Sequence, residues 1–331
     1  VSGFLSELRI AKHYYDHQRL GPVMIDLHPT LACQNRCYFC ISENFHVGGI
    51  DRPNFSREHT LEWSVLKNVI QEWREMGVKS IQLTGGGEPS LYYKFPELLE
   101  EIKDFRVGMI TNGILVGKYV NDIYKSVDWI RISLDASNAD MYKLIKKTNN
   151  FDKVIDSLKM LTSVNGIDHL RIGVAYIITP ESIEGITEAA KLIEDIGGVD
   201  YLQFKDVISR GTTFDEEYRK MIETEVTLAK SSVSLPVFYT SHKTPRSHNH
   251  PNCLATNYVS VLGADGNVYS CCHLEYLPKY SCGSIYNKSY KDIWLDKTEM
   301  KINEKMCWNC RFMKTNDILH ELDNIQDEDF I

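Results

Sequence analysis

From Val23 to Lys205 the sequence alternates short apolar runs with helical stretches, and this alternation leaves the chain few folds to adopt. Val23–His28, Ser80–Leu83, Val107–Ile110, Trp129–Leu134, His169–Ile178 and Tyr201–Lys205 read as strands. Leu61–Met76, Phe95–Lys103, Leu115–Ser126, Phe151–Ser163 and Ile183–Ile196 carry helical spacing. Gly77 and Gly197-Gly198 mark helix ends, and Pro96 sits in a first helical turn. Six strands alternating with helices predict an α/β fold with a helix-covered parallel sheet. Right-handed crossovers then bring every strand's C-terminal end to one rim. Residues 1–22 read as a helix and turn closed by Gly21-Pro22.

Several unusual segments fall on that rim. Cys33, Cys37 and Cys40, spaced C-x3-C-x2-C, follow the first strand. Gly85-Gly86-Gly87-Glu88-Pro89 follows the second, Thr111-Asn112-Gly113 the third, and Asp135 the fourth. Three thiolates can hold three irons of a [4Fe–4S] cluster and leave the fourth iron open. The competing reading is a zinc loop that borrows His28 or His46 as its fourth ligand.

Six further cysteines lie between Cys253 and Cys310. Asp265-Gly266 reads as a hairpin turn, which would bring Cys253 and Cys271 together. Cys307 and Cys310 form a later C-x2-C pair, after a helix at Tyr290–Leu295. Those four thiolates fit a fully ligated cluster, and equally a zinc knuckle. Cys272 and Cys282 are left over. Each reads either as a buried small hydrophobe or as a thiol facing the substrate, and Cys282 also as a substitute for Cys271 or Cys272 as a ligand.

The 331 residues accommodate one large α/β domain and a smaller module. We expect an N-terminal helical segment at 1–22, a barrel at 23–230 and a cluster module at 231–331. A net charge of −8 without a basic stripe argues against a nucleic-acid partner. Lys146-Lys147 and Lys301–Lys305 read as solvated helix faces. No apolar run has the length of a membrane span, and no signal peptide is visible. Nine cysteines in such a chain suit reduced metal ligands, with the cytoplasm as the expected compartment.

Over residues 20–210 the sequence resembles the radical S-adenosylmethionine (SAM) enzymes. The resemblance rests on C-x3-C-x-Φ-C, with Phe39 at the aromatic position, and on the Gly-Gly-Glu-Pro element. It implies a partial (β/α)6 TIM-like barrel in which Cys33, Cys37 and Cys40 bind a [4Fe–4S] cluster. SAM would chelate the open iron, and its cleavage would yield a 5′-deoxyadenosyl radical that abstracts a substrate hydrogen. Gly86, Gly87 and Glu88 match the element that contacts the methionine amine, and Tyr38 and Phe39 would lie near the adenine. Ser133 and Asp135 match positions that touch the ribose or carboxylate, or else make local hydrogen bonds at strand ends.

The C-terminal spacing is similar to the twitch and SPASM extensions of this family, a small β-hairpin and helix module. It implies an auxiliary [4Fe–4S] cluster on Cys253, Cys271, Cys307 and Cys310, with the one-cluster twitch form favoured. The molybdopterin-precursor cyclases place C-x2-C before one distant cysteine and so depart from this arrangement. The expected activity is oxidation or epimerisation of a small molecule such as a sugar, aminocyclitol or nucleoside, with flavodoxin or ferredoxin as reductant; in epimerisation Cys272 or Cys282 would return a hydrogen atom to the substrate radical. A peptide substrate is the alternative, less favoured because only 22 residues precede the first strand. A non-catalytic iron–sulfur or zinc scaffold is the reading from another class. Gln203, Lys205, His273 and Glu275 are further candidates for substrate contact, and His242, His248 and His250 read as solvated loop residues.

Overall fold

The computed structural model describes residues 21–40, 52–164, 169–207, 215–241, 250–298, 307, 310 and 312–323. The N-terminal helix, His46, His242, His248 and Lys301–Lys305 named above lie outside them.

Seven parallel strands run in chain order, the first six at the predicted segments: β1 (Met24–Leu27), β2 (Ser80–Leu83), β3 (Arg106–Thr111), β4 (Trp129–Ser133), β5 (Arg171–Ile178), β6 (Tyr201–Asp206) and β7 (Val237–Thr240). Each pairs with the next in chain order, which is the topology of an open, TIM-like partial barrel. The connecting helices are α1 (Trp63–Glu75), α2 (Phe95–Ile102), α3 (Val120–Ser126), α4 (Ala139–Lys146), α5 (Phe151–Thr162), α6 (Ile186–Ile196) and α7 (Glu216–Ser232). In α1, Leu66, Val69, Ile70 and Trp73 recur at helical spacing and are buried, and Gly77 at φ +75° lets the chain turn away at its end.

The strands separate two environments. Along β4, Ile130 and Ile132 are buried in the main core, whereas Trp129, Arg131 and Ser133 share the opposite face. That second face is polar: Arg131 donates to Gln203 Oε1 at 3.2 Å, Gln203 to Thr240 Oγ1 at 3.3 Å, and Gln82 to Asp26 Oδ1 at 2.7 Å. Glycines keep it open where large rings cross it. A Cβ on Gly108 would stand 2.2 Å from the Trp129 ring, and one on Gly173 would stand 2.1 Å from the Tyr201 ring.

Three features depart from the sequence reading. The series ends at β7, past residue 230, because a four-residue strand carries too little periodicity to announce itself. Helix α4 forms between Leu134 and Phe151, where the sequence marks only a helix face at Lys146-Lys147; Asn138 caps it by accepting from the Met141 amide at 2.9 Å. Lys146, read as solvated, is 3% exposed, because Tyr142, Ile145 and Lys146 form the inward face of α4, whereas Lys147 is exposed.

The C-terminal region extends the same sheet. Strand β8 (Val259–Leu262) pairs in parallel with β1, with Ile25 opposite Ser260. β9 (Asn267–Tyr269) and β10 (Ser281–Ser284) add antiparallel strands outside it. The Asp265-Gly266 turn joins β8 to β9, with Gly266 at φ +78°. Helices α8 (Tyr290–Asp296) and α9 (Met313–Asp323) complete the described chain.

Candidate active site

The loop after β1 is held largely through its backbone. Arg36 and Arg57 donate to the Cys33 carbonyl at 2.8 and 2.9 Å, and the Arg36 amide donates to the Lys146 carbonyl at 2.9 Å. Asn35 is buried, donating to Tyr142 Oη at 3.2 Å and accepting from Thr148 Oγ1 at 2.8 Å. The Cys40 amide closes a turn onto the Cys37 carbonyl at 3.1 Å. With the backbone so engaged, Cys33, Cys37 and Cys40 line a cavity of about 340 Å³ at the rim, within the size range of ligand pockets.

Opposite them runs the glycine-rich loop. The Glu88 amide donates to the Ala32 carbonyl at 2.8 Å, and a Cβ on Gly87 would stand 2.5 Å from the Leu31 carbonyl carbon. The missing side chain at Gly87 thus lets this loop lie directly on the segment that leads into Cys33. The Glu88 carboxylate is buried and occupied. Its Oε1 accepts from the Ser90 amide, Ser90 Oγ and Thr111 Oγ1, and its Oε2 from the Asn112 amide. Burial raises its pKa, and those hydrogen bonds oppose the rise.

The remaining predicted residues divide. Phe39, Gly86, Gly87, Glu88, Ser133 and Asp135 line the cavity; Tyr38, Cys272 and Cys282 do not. Tyr38 donates to the Glu181 carboxylate and packs edge-on against Phe39 at 5.6 Å. Asp135, at φ +60°, accepts from the Ile177 amide at 2.7 Å and pairs with Lys146. Lys146 also lies 5.7 Å from the centre of the Phe39 ring. Burial pushes the Cys37 thiol up to about 11, and the Lys146 charge draws it back. Sequence reasoning placed Asn112 on the rim but missed Lys146 and Asp206; all three line the cavity. The signal for Lys146 was a lysine on the apolar face of a short helix.

His28 is no ligand candidate for this loop. Its Nδ1 is 2.8 Å from Tyr276 Oη and its Nε2 3.6 Å from Glu275, both in the C-terminal region. Gln203 is engaged by Arg131 and Thr240, and Glu275 is buried beside Arg52. His250 stacks on His320 at 3.9 Å, near Asp317.

A second group of cysteines gathers beside β8 and β9. Burial and then the Cys307 charge raise the Cys253 pKa, the Cys272 side chain, burial and the Cys253 charge raise that of Cys271, and burial followed by the charges of Cys253, Cys307 and Cys272 pushes Cys310 up to about 12. Cys282 Sγ stands 3.2 Å from Ser270 Oγ, and its side chain packs against the main core. Backbone amides point at two of the sulfurs: His273 N to Cys271 Sγ at 3.4 Å and Phe312 N to Cys310 Sγ at 3.3 Å. At the rim, Asn112 Nδ2 stands 3.9 Å from Cys33 Sγ. Thiols gathered in groups and met by N–H donors suit iron–sulfur ligation, in which hydrogen bonds to sulfur stabilise thiolate.

The sequence profile of the radical SAM superfamily matches residues 27–193. The chain belongs to the radical SAM superfamily. A SPASM profile, an iron–sulfur cluster-binding domain, matches residues 253–311. This radical SAM enzyme therefore uses a [4Fe–4S] cluster and SAM, with auxiliary iron–sulfur binding in its C-terminal region. A probable GTP 3′,8-cyclase of Metallosphaera sedula is 27% identical over 223 residues, 65% of this chain and 66% of its own length. The chain thus spans just under two thirds of that relative. Streptococcus suis SuiB bound to precursor peptide SuiA superposes with a TM-score of 0.63 at 16% identity, covering 84% of this chain and 65% of SuiB. The structure of anSMEcpe with bound AdoMet gives 0.61 at 13% identity, covering 93% and 97%. These structural likenesses establish the fold.

Proposed function

We propose that this radical SAM enzyme oxidises or epimerises a polar small molecule held between the cysteine loop and the end of β6. One observation carries the reading: Lys205 and Asp206 line the same cavity as Cys33, Cys37 and Cys40. A substrate with hydroxyl or amino groups would meet a cation and a carboxylate there, beside the position where SAM would bind. Tyr239 donates to Asp206 Oδ1 at 2.8 Å and fixes its orientation. A sugar, an aminocyclitol or a nucleoside has suitable groups, and the relatives named for GTP cyclisation favour the nucleoside class.

When bound, SAM supplies a 5′-deoxyadenosyl radical that takes a hydrogen atom from the substrate. In this reading Cys33, Cys37 and Cys40 are the cluster ligands, and Phe39, Gly86, Gly87 and Ser133 shape the SAM pocket. Glu88 and Asp135 hold the surrounding loops in place, because their carboxylates are occupied by protein groups. Oxidation needs an acceptor for a second electron, and Cys253, Cys271, Cys307 and Cys310 would hold it. Epimerisation needs a hydrogen-atom donor instead. Neither Cys272 nor Cys282, the thiols read for that role, lines the cavity, which favours the oxidative outcome. A flavodoxin or ferredoxin would be the reductant. We place the module boundary after Thr240, the end of the chain-ordered strands β1 to β7.

Peptide modification is the second reading, since the superposed SuiB structure holds a precursor peptide. The test is substrate-dependent formation of 5′-deoxyadenosine by the reconstituted, reduced enzyme. Nucleosides and nucleotides, sugars, aminocyclitols and peptides would be offered in turn, with deuterium transfer from labelled substrate as the second readout. Label arriving from a small molecule supports the proposal. Label from peptides alone overturns it in favour of the second reading, and no 5′-deoxyadenosine under any condition overturns both.

A further inference from the structure

Between the two cysteine groups lies a buried charged network that the chemistry above does not use. Arg52, Glu275 and His28 are 8%, 5% and 2% exposed. Arg52 Nη1 stands 3.3 Å from Glu275 Oε1, and Arg52 Nη2 donates to the His273 carbonyl at 3.1 Å. Glu275 Oε2 faces His28 Nε2 at 3.6 Å. His28 lies at the end of β1, on the approach to Cys33, whereas His273 directly follows the Cys271-Cys272 pair. The network therefore joins the two cysteine loops. Arg52 also feels the charge of Cys272 directly.

A buried ion pair is weak support for stability, because the cost of desolvating two charges offsets their attraction. Its position suggests another use. The potential of an iron–sulfur cluster depends on nearby charge and on hydrogen bonds to its sulfurs. Arg52 holds the carbonyl of His273, the residue whose own amide points at Cys271 Sγ, so it brings a cation and steadies the residue that supplies the donor.

We infer that Arg52 and Glu275 are positioning residues that set the reduction potential of the auxiliary cluster with opposite signs. The guanidinium favours the electron-rich reduced form, and the carboxylate restrains that effect. The inference rests on the reading that the C-terminal cysteines hold this cluster.

The test is an EPR-monitored dithionite titration of the full chain carrying C33A, C37A and C40A, so that the signal belongs to the auxiliary site. R52Q should move the midpoint to lower potential, E275Q should move it higher, and R52K should leave it near the parent value. Opposite shifts at unchanged iron content support the inference, since a merely structural role would not change sign between the two partners. Unmoved midpoints, or shifts in one direction, overturn it alone. Should E275Q lose its iron, R52Q against R52K decides by the same criterion. A triple-alanine parent without iron overturns both the cluster reading and the inference.

Discussion

Glu88 Oε2 accepts the backbone amide of Asn112 at 2.7 Å, which locks the loop after β2 to the loop after β3. Since the Glu88 amide also donates to Ala32, one residue ties three rim loops around the cavity.

E88Q should therefore destabilise the protein. All four groups that meet the carboxylate are donors, and the new amide would turn its own donors toward at least one of them. The expected loss is about 1–3 kcal/mol by denaturant unfolding. The pH dependence has a definite sign. Folded Glu88 holds its proton more tightly than the unfolded chain, so its ionisation removes stability as pH rises from 4.5 through the folded pKa. E88Q should flatten that part of the pH–stability curve.

K146M strands the Asp135 carboxylate in a buried site, at a cost of about 3–5 kcal/mol. The double variant K146M/D135N should recover most of this, because Asn tolerates the left-handed backbone at this position. Equal stabilities for the single and double variants would rule out the ion pair as the cause.

G87A places a Cβ against backbone at Leu31 and Ala32, where no side chain can swing aside. The loops must part, and Cys33 moves with them. Reconstituted G87A should lose up to about four irons per chain while keeping those of the C-terminal group.

Removing Cys33, Cys37 and Cys40 together should lower iron by about four per chain. Removing Cys253, Cys271, Cys307 and Cys310 should take away the remainder, whose amount counts the auxiliary clusters. C282S should leave iron unchanged, since its thiol meets Ser270 Oγ and packs against the main core. Iron loss in C282S would reinstate it as a ligand.

The six predicted strands and the cysteine and glycine loops were legible because apolar alternation and Cys and Gly spacing are local signals. The short elements were not. Helix α4 and strand β7 draw their stability from tertiary contacts more than from propensity. Lys146 looked like surface because charge usually means exposure, and only Asp135, distant until the chain folds, makes its burial tolerable. Tyr38 looked like a pocket wall because it stands between Cys37 and Phe39, yet its hydroxyl turns to Glu181. The network of Arg52, Glu275 and His28 joins residues up to 247 positions apart (275 − 28) and leaves no trace in local pattern.

The parallel pairing of β8 with β1 limits how the C-terminal region can be exchanged. Cutting the chain between Thr240 and Val259 would strip β1 of a neighbour and bare a row of amides and carbonyls that another molecule can seize. A transplanted cluster domain would have to arrive with its own strand in the Met24–Val259 register, or the recipient would trade a new cofactor for aggregation. Lineages that diversify this end of the protein are thereby steered toward rewriting its loops and sparing its seam.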